Sequence, residues 1–153
     1  MNNYTPESYA EKVKENIEKL GFHITYVAES DTPAFCYSTG LTESFGIPEI
    51  FISSLPLGMS SEFINAYLNR YKKTSPPVGK LIKKMSEPFD YYLIEVDPLE
   101  LEDYVLASLK FYGTKPFKYF QIIFPDTKLR FPHEDGYNYD QEILGEYPSV
   151  TKV

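Results

Sequence analysis

The run Phe117 to Phe124, FKYFQIIF, constrains the fold more than any other stretch, because an apolar segment of strand length has to be covered on both faces. It predicts a strand in the middle of a sheet, and a central strand needs neighbours. Phe22 to Ala28 alternates, with Phe22, Ile24 and Tyr26 on one face and His23, Thr25 and Val27 on the other, as a half-buried strand does. Ala34 to Thr39 reads as a short aromatic strand and Glu49 to Ser53 as an apolar one. Lys80 to Met85 reads as an edge strand whose Lys80, Lys83 and Lys84 discourage strand addition, and Phe89 to Val96 as a further strand.

Three helices are expected between these strands. Asn2 to Leu20 has Thr5 as cap, Pro6 in the first turn and Tyr9, Val13, Ile17 and Leu20 at helical spacing, with Gly21 as terminator. Gly58 to Lys73 has Ser60 as cap, a wide apolar face of Phe63, Ile64, Tyr67, Leu68 and Tyr71, and a basic last turn. The third has Asp97 as cap, Pro98 at the first position and Glu100 close to a capping box. Leu101, Tyr104, Val105, Ser108 and Leu109 then share a face up to Gly113. The order of elements argues for α+β: a single domain over residues 1–153, with a mixed or mostly antiparallel sheet of about five to six strands and about three helices packed on it. The tail from Pro125, rich in Pro, Asp, Gly and Tyr, is expected to wrap the surface or cover a pocket mouth and to fray near Val153.

A chain of 153 residues buries a sizeable core without a metal or disulfide, and a single Cys makes no internal disulfide. Cys36 lies in an apolar run and reads as a small buried hydrophobe. No signal peptide opens the chain and no apolar run approaches the roughly 18 residues of a membrane span, so a cytoplasmic location and no membrane contact are the expectations. A net charge of −7 and pI near 4.9 disfavour binding to long nucleic acid, which needs a cationic face. The 14 Tyr and 11 Phe, with no Trp, place aromatic rings on surfaces or in a cavity as well as in the core.

Chemistry is sought first in Ala34 to Pro56, where two buried strands hold a loop containing Gly40, Gly46 and Pro48. Gly40 allows close approach to backbone N–H groups, and Ser38, Thr39 and Thr42 supply hydroxyls, so Tyr37, Ser38, Thr39, Gly40, Leu41, Thr42 and Glu49 are ligand-binding candidates. A tight turn that satisfies its own backbone is the plainer reading of the same residues. No Walker pattern and no GxGxxG occurs. Pro48 delivers Glu49 at a defined point, so Glu43 and Glu49 are weighed as an acid and base pair facing one cavity. Gln121, the polar interruption of an apolar strand, either holds a neighbouring loop or reads a ligand. Arg130 and His133 belong to a crowded segment, RFPHEDGY, in which His133 is a further acid-base candidate. The two histidines, His23 and His133, stand in no ligand spacing, and no hydrolase elbow is present, so neither a metal nor a cofactor is expected. The five lysines from Lys72 to Lys84 read as a solvated face that an anionic ligand can meet.

These motifs together resemble the DUF4262 family, a bacterial domain of unknown function, from about Gly21 to Tyr137. The likeness rests on the GFHITYV strand, AFCYSTGLTESFGIPEIFISSLP, the FYG at Phe111 to Gly113, and FQIIFPD followed by RFPHEDGY. The positions that match the family pattern are Tyr37, Thr39, Gly40, Leu41, Pro48, Glu49, Gln121, Pro125, Asp126, Phe131 and Pro132. His133 stands where such sequences often carry Trp, and Arg130 where they usually carry Gly. The resemblance implies a fold unit and a polar motif cluster, with no reaction attached.

Three functions fit these residues. One is a non-catalytic protein that binds or sequesters a small molecule, nucleotide-like in character, through aromatic stacking, hydroxyls and local cations. The second is an acidic interaction protein, of the immunity or anti-defence kind, that binds a protein partner. The third is an enzyme using Glu43, Glu49 and His133. Gln121 and Arg130 to Tyr137 are expected to form the wall opposite the Gly40 loop.

Overall fold

A computed structural model of the chain describes residues 5–86 and 89–145. Its elements run α1 (Pro6–Leu20), β1 (His23–Val27), β2 (Phe35–Thr39), α2 (Leu41–Phe45), β3 (Glu49–Ser53), α3 (Leu57–Tyr71), β4 (Leu81–Ser86), β5 (Phe89–Val96), a 3-10 turn (Pro98–Leu101), α4 (Leu106–Tyr112) and β6 (Tyr119–Ile123). One six-stranded sheet has the order β1-β2-β3-β6-β5-β4. Every neighbouring pair is antiparallel except β3 and β6, which run parallel at the centre with Glu49 opposite Tyr119 and Phe51 opposite Gln121. The fold is therefore α+β with a mixed, mostly antiparallel sheet, and all five residues of β6 are buried as its composition demands.

The two faces of the sheet bury different layers. Ile50, Ile52, Phe120 and Ile122 join Phe63, Ile64, Tyr67 and Leu68 of α3 in the larger core. Phe35, Tyr37, Phe51 and Tyr119 point the other way and pack with Leu101 and Val105. That second face also receives α1, since His23 and Thr25 of β1 hydrogen-bond to Tyr9 and Asn16. Strand alternation thus places α3 on one side and α1, α4 and the tail on the other. No described helix is long and apolar enough to cross a membrane.

Several expected elements take a different form. Thr5 caps α1 in a reciprocal capping box with Ser8. Pro56, not Ser60, precedes α3, and the Ser60 hydroxyl donates to the Leu55 carbonyl from inside the helix. The expected third helix is broken. Asp97 caps a single 3-10 turn, and α4 starts only at Leu106. Leu101, Tyr104 and Val105 keep the common face expected of them: Leu101 and Val105 are buried, and the Tyr104 ring meets Phe35 and Phe51 at centroid distances of 5.0 and 5.8 Å.

The tail beyond β6 lies over the second face. Asp126 gathers it, accepting from the backbone N–H groups of Lys128, Arg130 and Asn138 and pairing with the Arg130 guanidinium at 3.1 Å. The Gln121 amide pins it further along, donating to the Glu142 carbonyl and accepting from Leu144 N–H. The expected fraying near Val153 falls outside the described residues.

Candidate functional site

Glu49 is the centre of the Ala34–Pro56 stretch, and the surrounding chain encloses it completely: the residue is 0 % exposed. One carboxylate oxygen, Oε1, accepts from the Ser38 hydroxyl at 2.6 Å and Leu41 N–H at 3.2 Å. The other accepts from Gly40 N–H at 2.9 Å, Thr42 N–H at 3.2 Å and the Tyr112 hydroxyl. Three of these donors are backbone groups at the start of α2, which a helix leaves without intrahelical partners. Glu49 therefore caps α2 from the start of the next strand, β3. Burial pushes its carboxyl above the ordinary value, while Ser38, Tyr112, Thr42 and Gly40 pull it back down.

Gly40 lets the end of α1 pack against this turn. Its φ is +109°, and a Cβ there would lie 2.8 Å from the Ile17 side chain and 3.0 Å from the Gly21 carbonyl oxygen. Next to the carboxylate, the Ser108 hydroxyl contacts both Thr39 and Tyr119, and Ser108 and Tyr119 each donate to the Ser38 carbonyl. Burial raises the Tyr119 hydroxyl well above its ordinary pKa. The Tyr37 hydroxyl, pushed up to about 12 by burial, accepts from Ala107 N–H at the start of α4. Every polar group expected to meet a ligand here is spent inside the protein, and Leu41 belongs to the core.

Glu43 is exposed on α2 and pairs with Lys115 at 3.5 Å, whereas Glu49 is sealed, so the two carboxylates face no common cavity. Cys36 is fully buried, and burial pushes its thiol up to about 12. The expected opposing wall also lies elsewhere. Glu49 and Tyr119 mark the start of the parallel β3/β6 pair, while Arg130 is bound to Asp126 beyond the other end of β6. His133 stacks on Phe131 and meets the edge of Tyr92, whose β5 position is opposite Ile123. Gln121 serves the tail rather than the Gly40 loop.

What the Glu49 clamp does is present the loop between α2 and β3. Glu49 N–H donates to the Lys118 carbonyl at 2.9 Å, and the Tyr67 hydroxyl of α3 donates to the Pro48 carbonyl at 2.9 Å. Phe45, Gly46, Ile47 and Pro48 are thereby fixed as one wall of an open groove of about 480 Å³. Lys72, Lys73, Thr74, Ser75 and Pro76, after α3, form the other wall, and Lys118 and Phe120 of the β6 strand region form the floor. Neither Lys72 nor Lys73 forms an ion pair with a described residue, and Lys118 has only a long, exposed approach of 3.9 Å to Glu95. Sequence reading saw Lys72 and Lys73 as part of a solvated run. It missed Lys118, which is 45 positions further along and reaches the groove only through the β3/β6 pairing.

The family model of DUF4262, a domain of unknown function, matches residues 16–138. The chain belongs to the DUF4262 family. The match spans the Glu49 clamp, the Gly46–Pro48 wall and all three groove lysines, so the geometry described lies within the family unit. No curated protein and no solved structure matches the chain. Among the described residues no group of three or more His, Cys, Asp or Glu side chains is arranged to hold a metal ion.

Proposed function

We propose that this DUF4262 protein is a non-catalytic binder of a small anionic molecule of nucleotide-like character, held in the groove between the Gly46–Pro48 loop and the residues that follow α3. The observation that carries the reading is the convergence of Lys72, Lys73 and Lys118 on one groove in a chain of net charge −7. Fields from charges more than about 8 Å away are screened at physiological ionic strength, so the local lysines decide what enters. Their ammonium groups suit phosphate oxygens, Thr74 and Ser75 supply hydroxyls, and Phe45 offers a ring edge or face to a planar base. The groove volume of about 480 Å³ is within the range of small-molecule sites. Binding rather than turnover is favoured because the buried carboxylate has no free acceptor position and Glu43 and His133 sit in other places.

The test is native mass spectrometry of protein purified from cells, followed by calorimetry with a panel of nucleoside mono- and diphosphates. A ligand retained by the wild type and lost in Lys72→Glu/Lys118→Glu supports the reading; a panel that binds neither protein refutes it. A second reading, an interaction protein of the immunity or anti-defence kind, draws on a different surface. Leu57, Met59 and Tyr139 are 48 %, 39 % and 40 % exposed, and Met59 and Tyr139 flank an apolar hollow with Pro56 and Phe124. Recovery of a defined protein partner that Met59→Glu releases, with no small molecule bound, would favour it.

A further inference from the structure

We infer a second binding site, for a small amphipathic carboxylate, in the groove between α1 and α4. The groove has a volume of about 360 Å³ and lies on the opposite side of the sheet from α3. Alanines make it: Ala10 on α1 and Ala107 on α4 leave a gap between helices that otherwise pack side by side. Val13, Leu106 and Phe111 complete an apolar lining, and Leu106 stays 62 % exposed at the mouth.

The polar groups are distributed so as to define the ligand. The Tyr9 hydroxyl is already bonded to His23 Nε2 and Thr25 Oγ1, each at 2.8 Å, so this wall presents a ring to the groove and keeps its hydroxyl for the sheet. Charge sits at the rim instead. Lys14 on α1 and Lys110 on α4 are exposed, flank the groove, and form no ion pair with a described residue, and Glu11 is the one acid in the lining. The local balance is one net positive charge over an apolar slot. An alkyl or aryl chain fills the slot while its single carboxylate stays at the mouth between the two ammonium groups. A polyphosphate would leave the slot empty, and a neutral lipid would leave the lysines unmatched. The site is independent of the groove beside Gly46–Pro48 and survives or fails on its own.

Calorimetry of the full chain with octanoate, and with 1-octanol as the uncharged comparison, tests it. Lys14→Glu/Lys110→Glu alters only exposed side chains, and Ala10→Phe fills the slot; circular dichroism checks that each variant is folded. The expected result is octanoate binding to the wild type, weakened about tenfold or more by the double charge reversal, with 1-octanol binding unchanged by it. Ala10→Phe is expected to remove binding of both. Absence of octanoate binding at millimolar concentration overturns the proposal. So does equal affinity for octanoate in wild type and charge-reversed protein, or 1-octanol binding as tightly as octanoate.

Discussion

Replacing Glu49 with Gln keeps the shape of the side chain and removes one of its two acceptor oxygens. The structure dictates how the amide settles. With its nitrogen in the Oε2 position, the Gly40 and Thr42 N–H groups both lose their acceptor; in the Oε1 position Leu41 N–H does, and the Ser38 hydroxyl, which already accepts from Ile50 N–H, gives up the acceptor of its own proton. The second arrangement is cheaper and still orphans one buried N–H, at about 1–3 kcal/mol. The remaining bonds lose their charge assistance, which makes such bonds roughly twice as strong as neutral ones. Against this, the amide escapes the desolvation that raises the Glu49 pKa. The net loss should be about 3 kcal/mol, a large share of a typical total of about 5–15 kcal/mol. Urea unfolding followed by far-UV circular dichroism measures it, since the chain has no Trp. Glu43→Gln, on the exposed face of α2, is the control and should change stability by less than about 0.5 kcal/mol. A loss below about 1 kcal/mol for Glu49→Gln would show that α2 and the Gly40 turn hold themselves, and that the carboxylate does not organise them.

Further outcomes follow from the same geometry. Gly40→Ala should cost about 2–4 kcal/mol in the same assay, because its positive φ is unfavourable for Ala and its Cβ would meet Ile17 and the Gly21 carbonyl. A loss within about 0.5 kcal/mol would mean that the contact relaxes freely. Cys36 should resist a disulfide reagent in the folded protein and titrate fully in denaturant; rapid reaction of native protein would contradict its burial. His23 is held neutral by burial and, secondarily, by Lys12, with Nδ1 accepting from Asn16, so its folded pKa lies below 6.5. Its contribution to stability is complete above pH 6.5 and is lost as pH falls through the folded value, with a slope of at most about 1.4 kcal/mol per pH unit. His23→Gln should flatten that part of the profile, and an unchanged slope would refute the assignment.

Elements governed by local pattern were legible in the sequence, and those governed by distant contacts were not. β3 and β5 have the bounds that their apolar patterns predict, and β1 shows the expected division of Phe22, Ile24 and Tyr26 from His23 and Thr25. The short helix α2 carried no signal of its own: its N-cap is a glycine without a side-chain bond, and its capping carboxylate comes from Glu49, beyond its C-terminus at the start of β3. The 3-10 turn and α4 have the composition of one helix, and the chain divides them between Leu101 and Leu106 while Leu101, Tyr104 and Val105 still face the sheet. The candidate site residues divide in the structure, with Gln121, Arg130 and His133 away from Glu49. Tyr37, Ser38, Thr39 and Glu49 do meet, yet they face one another rather than a cavity. Gln121 was weighed between holding a loop and reading a ligand, and both ends of its amide hold the tail. Sequence separation hid the lysine groove, since only the parallel pairing of β3 with β6 brings Lys118 beside Pro48.

A titration of isotope-labelled protein with a nucleoside monophosphate, followed through its backbone amide NMR signals, tests the lysine groove most directly. Shifts concentrated at Phe45 to Ile47, Lys72 to Ser75 and Lys118 to Phe120, and abolished by Lys72→Glu/Lys118→Glu, are the predicted result. Shifts confined to other surfaces, or no saturable shifts at millimolar nucleotide, would contradict it.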